Sequence, residues 1–204
     1  MQQPTRWWLI RHAPVINPEG KVYGGSEIDC DTTNTAVFQA VAASLPKDAV
    51  WICSPLSRTR RTAAALLEAG ASGEEMQLEP RLVEQNFGDW QGRNRQEILA
   101  QWPEQDKQFW LAPAHERAPG GESFLDVRDR VAEALADWNA KARGRDIIAV
   151  MHGGSIRAAL SIALDLAPER ALSFHTETVS VTGLDAYPGG SWGVRFVNSC
   201  PGRD

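Results

Sequence analysis

Three short apolar runs, over residues 7–10, 49–53 and 147–150, constrain most strongly what this chain can fold into, because each is closed by residues that stop a strand. Runs of that length read as strands buried on both faces. Burial on both faces belongs to mostly parallel sheets covered by helices. Segments with helical spacing lie between the runs. Val37, Val41 and Leu45 share one face over 33–45, where Thr33 is placed to cap the helix and Pro46 to end it. Leu56, Ala63, Leu66 and Leu67 do the same over 56–69, before Gly70. Phe124, Val127, Val131, Leu135 and Trp138 follow the capping-box pair Ser123 and Asp126. A short third strand is expected over 77–82 and a further helix over 155–164. Two period-2 strands, over 178–184 and 192–197, close the chain through Pro188-Gly189-Gly190. This alternation predicts an α/β fold, a three-layer sandwich with a mostly parallel central sheet and helices on both faces.

The 204 residues fit a single domain, 1–204, large enough to bury a substantial core. No apolar window approaches a membrane span, and residues 1–6 carry no apolar leader core. Cys30, Cys53 and Cys200 are odd in number and lack a C-x-x-C spacing, which predicts a reduced, cytoplasmic setting. A net charge of −5 argues against nucleic acid as a partner, so gathered arginines should serve a local anion.

Chemistry is expected where the strands stop. In open α/β sheets ligands collect at the carboxyl ends of strands, and the first run ends in Arg11-His12-Ala13-Pro14. The run over 147–150 ends in Met151-His152-Gly153-Gly154, so a second histidine closes a buried strand. Glycines there let the backbone approach a ligand, and the amides of the following helix face the same crevice. Arg58, Arg60 and Arg61 crowd the start of a helix, where its dipole disfavours cations. An anion in the crevice explains Arg58, and a solvated face explains Arg60. Glu84 sits in a loop among apolar and aromatic residues, which favours its protonated form by desolvation. Trp102, Phe109 and Trp110, in a segment broken by Pro103 and Pro113, read as a substrate-side cap within 85–122.

Together these residues resemble the histidine phosphatase superfamily, the phosphoglycerate mutase-like enzymes, over nearly the whole chain. Leu9-Ile10-Arg11-His12 resembles the signature of the nucleophilic histidine, and Asn17 stands where a loop asparagine helps hold phosphate. Ser54-Pro55-Leu56-Ser57-Arg58 with Thr62-Ala63 resembles the second-arginine helix. Leu82-Val83-Glu84 with Phe87-Gly88-Asp89-Trp90-Gln91-Gly92 resembles the proton-donor segment, and His152-Gly153-Gly154 with Ile156-Arg157 the second-histidine motif. Ala13-Pro14-Val15 replaces the common Gly-Glu-Thr, a variant associated with phosphatase branches that include bacterial α-ribazole phosphatase-like proteins.

The resemblance implies a phosphatase acting on a small phosphorylated metabolite. Its reaction would run through a phosphohistidine at His12, without cofactor or metal. Arg11 and Arg58 would neutralise phosphate, His152 would add a hydrogen bond, and Asn17 and Gly153 would contact substrate. Glu84 would protonate the leaving alcohol and then activate water. Mutase-type phosphoryl transfer and a non-catalytic phosphate-binding module on the same fold are the alternatives. A metal between His12 and His152 is the weaker reading, since no carboxylate or cysteine lies at ligand spacing from either. No membrane partner is expected, and the oligomeric state is left open.

Overall fold

Strand β1 (Thr5–Arg11) pairs in parallel with β4 (Asp146–Met151), and β4 in turn with β2 (Val50–Cys53). The two-residue β3 (Gln77–Leu78) lies parallel on the far edge of β2. On its other side β1 is antiparallel to β5 (Val181–Ala186), which is antiparallel to β6 (Trp192–Ser199). The order is β3-β2-β4-β1-β5-β6, parallel in its first four strands. This computed structural model describes residues 3–17, 19–102 and 110–203; Pro18, Pro103 and Phe109 lie outside them.

The pleat explains why the strands read as unbroken apolar runs. Trp7, Leu9, Ile147, Ala149 and Met151 point to one face, against Phe124, Val127, Val131 and Leu135 of α4 (Phe124–Lys141) and Ile156, Ala159 and Leu160 of α5 (Gly153–Ala163). The alternate residues Ile10, Ile148, Val150, Trp51 and Cys53 point to the other face. There they meet Val37, Phe38 and Val41 of α1 (Thr35–Ser44) and Ala63 and Leu66 of α2 (Ser57–Glu68). Each fully buried side chain of this size contributes about 1.5–3 kcal/mol, so both faces of the sheet are firmly clad. A third, smaller cluster joins Val22, Phe87, Trp90, Ile98, Leu111, Ala112 and Ala118 above the strand ends. It holds the short helix α3 (Arg95–Leu99) against the loop that follows β1.

Several boundaries differ from expectation, each for a local reason. Asn34, not Thr33, caps α1, because Thr33 is tied back to Asp31 by its amide at 2.8 Å and its hydroxyl at 2.7 Å. The third strand stops at Leu78. Glu79 then caps a 3-10 turn, Pro80–Leu82, through the Arg81 amide, and Pro80 supplies no ladder donor. Helix α5 begins two residues earlier than expected, with His152 in the capping position. The capping box of Ser123 and Asp126 is present in full. No helix among the described residues is long and apolar enough to cross a membrane.

Candidate active site

Parallel pairing carries the ends of β1, β2 and β4 to one edge of the sheet. Arg11 lies opposite Met151 and Cys53 opposite Val150. The ladder runs one residue past the named ends, since the His12 amide donates to Met151 O and the Ser54 amide to Val150 O, each at 3.0 Å. His12 and His152 thereby become neighbours, with ring centroids 5.2 Å apart and both residues fully buried.

Their hydrogen bonds assign opposite tautomers. His12 Nδ1 lies 2.7 Å from the carbonyl of Ala13, which can only accept, so the proton sits on Nδ1 and Nε2 keeps its lone pair. That Nε2 is buried and has no partner. Burial first, then the charges of Arg58 and Arg11, push the His12 pKa down to about 3, so the ring is neutral. His152 Nδ1 accepts from Arg58 Nε at 3.3 Å, which leaves Nε2–H to donate to Ser54 Oγ at 2.8 Å. With both ring nitrogens so engaged, a bond from His152 to a ligand would require one of these partners to be exchanged.

Arg58 is wholly buried. Its Nη1 donates to Ser26 O at 2.8 Å and its Nη2 to Gly24 O at 2.7 Å, and Tyr23 lies 5.2 Å from the guanidinium. Three of its five donors are thus spent on His152 and on the loop after β1, and two remain. The helix start that should repel it is compensated by Glu27, whose carboxylate accepts from the Ser57 amide at 2.9 Å and from the Ser57 hydroxyl. Arg60 is exposed, as its solvated-face reading requires.

Arg11 is held from the opposite side. Its Nη1 donates to Thr176 O at 2.5 Å, and its backbone bonds to Val179 N and Ser180 O. Val179 takes φ +57° to make that contact, a strained state for a β-branched residue. Arg11 Nε is buried without a partner. Glu84, also buried, accepts from the Gln85 amide at 3.0 Å and from the Gly154 amide at 3.1 and 3.2 Å. A Cβ on Gly154 would fall 2.2 Å from Glu84 Oε1, so the second glycine of the His-Gly-Gly run makes room for this carboxyl group. Asn17 closes its own turn, donating to Lys21 O at 2.8 Å and accepting from Lys21 N at 3.3 Å.

Above these groups lies a cleft of about 240 Å³, lined among others by Arg11, Asn17, Glu84, Gly153 and Arg157. His12, Arg58 and His152 are wholly buried and do not line it; His12 follows Arg11 and His152 precedes Gly153 of the lining, and Arg58 bonds to Gly24 O of the lining. The sequence-predicted residues therefore converge, with Asn17 at the rim.

The histidine phosphatase superfamily (branch 1) model matches residues 7–199. The chain belongs to the histidine phosphatase superfamily. A bifunctional protein of Mycobacterium tuberculosis is 30% identical over 199 residues, 96% of this chain but 54% of that protein, so the chain spans about half its length. A glucosyl-3-phosphoglycerate phosphatase of Mycolicibacterium vanbaalenii is 34% identical over 167 residues, 76% of this chain and 72% of that protein. A solved mycobacterial glucosyl-3-phosphoglycerate phosphatase in complex with VO3 is 26% identical, with a TM-score of 0.81, covering 96% of this chain and 99% of that one.

Sequence reasoning missed residues of this histidine phosphatase superfamily member that only tertiary packing reveals. Arg130, from mid-α4, donates to the carbonyls of Arg81 and Val83 at 2.7 and 2.8 Å and to that of Glu84 at 3.2 Å. It also bonds Glu122 at 2.9 Å, so the loop bearing Glu84 is pinned to the helix. Arg157 was noted only as part of a motif, and Lys21 and Arg95 not at all, yet all three line the cleft.

The two buried neutral histidines make stability depend on pH. Below the ordinary value of 6.5 the unfolded chain takes up a proton that folded His12 refuses until about pH 3, so stability is lost as pH falls through that interval. By about pH 5 the loss from His12 alone should be on the order of 2 kcal/mol. His152 acts with the same sign, its pKa held well down by burial, the Arg58 charge and His12. Chemical denaturation followed from neutral pH to about pH 5 should show this decline, shallower in His12→Ala. A flat profile would contradict the neutral assignment.

Proposed function

We propose that this histidine phosphatase superfamily member hydrolyses a small phosphomonoester through a phosphohistidine at His12. The observation that carries the reading is His12 Nε2: an unprotonated, buried and unpartnered nitrogen on the residue that follows Arg11, which lines a cleft together with other cations. In the proposed reaction the Nε2 lone pair attacks phosphorus and the ester P–O bond breaks. The leaving oxygen takes a proton from Glu84, and the phosphoryl charge is met by Arg11 Nε and the two uncommitted donors of Arg58. Water, deprotonated by the Glu84 carboxylate, then attacks phosphorus, and the N–P bond breaks to release phosphate and restore the lone pair. Asn17 and the Gly153 backbone contact substrate at the rim, and a substrate-side cap lies within 85–122, where Phe87, Trp110 and Leu111 line the cleft.

Phosphatase names among relatives support this reading, as does a metal-independent phosphoserine phosphatase of Arabidopsis thaliana, 31% identical over 156 residues. Its site of action is proposed to be the cytoplasm, with Cys30, Cys53 and Cys200 as free thiols. Incubation with phenyl phosphate and a panel of phosphorylated metabolites should release inorganic phosphate; a mutase would instead return an isomeric phosphoester. Release should survive dialysis against a strong chelator and be inhibited by orthovanadate. Loss of activity on chelation, restored by a divalent ion, would move the chemistry to a metal.

A further inference from the structure

The cations of the cleft fall into two tiers. Arg58 is wholly buried against His152 and reaches the cleft only through its bond to Gly24 O of the lining. Arg157, Arg95 and Lys21 instead line the wall that Trp110, Tyr23 and Phe87 complete. Arg11 belongs to both tiers. A point one Cβ away from Gly153 lies 3.0 Å from Arg157 Nη1, 3.3 Å from Thr176 Oγ1 and 3.5 Å from Arg11 Nε. Two of those atoms, Thr176 Oγ1 and Arg11 Nε, are buried with no hydrogen-bond partner. Glycine keeps this space open; any other residue would fill it.

Arg157 is fixed rather than mobile. Its Nε donates to Phe174 O at 2.9 Å and its guanidinium lies 4.9 Å from the centre of the Trp110 ring. Trp110 is itself tied to Gln85 Oε1 at 2.8 Å, next to Glu84. No carboxylate among the described residues forms an ion pair with Arg157. Burial, then the charges of Arg11 and Arg95, lower its pKa to about 10 against the pull of Glu84, so the cleft holds like charges close together. Lys21 is ion-paired with Glu19, which leaves Arg11, Arg95 and Arg157 against one carboxylate among the described lining residues; in a chain of net charge −5 that is still more positive charge than a single phosphate dianion needs once Arg58 is added.

We propose that Arg157, assisted by Arg95, binds a second oxyanion of the substrate, a carboxylate or second phosphate on the same molecule as the reacting phosphate. The inference rests on reading the cleft as a phosphoryl site. The substrate class is then a phosphoester with a second anionic group, its carbon body lying against Trp110, Tyr23 and Phe87. A neutral alcohol phosphate would leave Arg157 desolvated with only the Glu84 charge to offset it, which makes Arg157 a specificity-determining residue.

The test uses ligands that cannot turn over. Propylphosphonate, 3-phosphonopropionate and propane-1,3-diphosphonate are titrated calorimetrically into the full chain at neutral pH and constant ionic strength. The added anionic group should tighten binding at least about tenfold in the native protein, the usual worth of a charge-assisted contact in a cleft. Whether carboxylate or phosphonate gains more distinguishes the two sources. R157Q should lose most of that ratio, R157K should keep part of it, and R95Q should lose less than R157Q. Thermal melts verify that each variant is folded, and R157K, with its charge and apolar stem kept, guards against a packing defect in R157Q. Equal affinities for the three ligands in the native protein, or a ratio that R157Q keeps in full, would overturn the subsite. Turnover of phenyl phosphate, which has no second anion, is read on the same native preparation. Its absence would sink the hydrolase reading while the binding ratio still decides this one.

Discussion

His12→Ala is expected to lower kcat/KM for every phosphomonoester by at least about 10⁴-fold, since loss of the attacking atom in a nucleophilic enzyme removes most of the rate enhancement. The fold should survive. His12 lies one residue beyond β1, its side chain makes a single hydrogen bond, to Ala13 O, and its ring is held neutral against its own titration in the unfolded chain. Ligand binding should persist too, because Arg11 and Arg58 are anchored by Thr176, Ser26 and Gly24 rather than by His12. The native protein quenched in alkali during incubation with substrate should carry base-stable, acid-labile phosphate on His12, and the variant none. Near-normal turnover by the variant, or stable phosphate on another residue, would overturn the phosphohistidine route.

The sheet was legible because its strands obey one simple rule. A residue run buried on both faces has no polar alternation, so 7–10, 49–53 and 147–150 could be assigned without knowing what covers them, and the helical spacing between them supplied the cover. The fate of 77–82 was not legible. Leu78 is exposed at the sheet edge, and a single Pro at position 80 turns the chain away into a 3-10 turn; the outcome depends on whether a further strand exists to pair there. Thr33 and Asn34 are both good caps, and the choice between them depends on the hydroxyl of Thr33 finding Asp31 first.

At the site, strand ends and the family motif gave His12, Arg58, Glu84 and His152; Glu84 lines the cleft, and the other three are buried next to its lining residues Arg11, Gly24 and Gly153. What the motif could not give is how each is held. Arg58 is a clasp on the loop after β1, and His152 bonds inward to Ser54 and Arg58. Arg130 and Arg157 reach the site from helices whose sequence shows only that they are amphipathic. An arginine on such a helix reads as solvent-facing until the loop it clamps is known to lie beside it, and that adjacency spans 46 residues for Arg130 and Glu84.

Glu84→Gln separates a proton-donating role from a pocket-shaping one. Glutamine keeps the size of the side chain, and its carbonyl oxygen can still accept from the Gly154 amide now 3.1 Å away, so the wall of the cleft should be preserved. What it lacks is a proton to give at the leaving oxygen. An alkyl phosphate, whose alkoxide is a poor leaving group, should then react about 10²- to 10⁴-fold more slowly in the phosphoryl-transfer step. An aryl phosphate with an acidic phenol departs without protonation and should be affected far less. The comparison has to be made in single turnover, because the same variant also loses the base that helps water discharge the phosphohistidine. For the aryl substrate this second loss should appear as a burst of phenol followed by slow turnover, with the phosphoenzyme accumulating on His12. Equal slowing of both substrates in the first step, with no burst, would mean that Glu84 only shapes the cleft against Gly154, and the proton would have to come from another group.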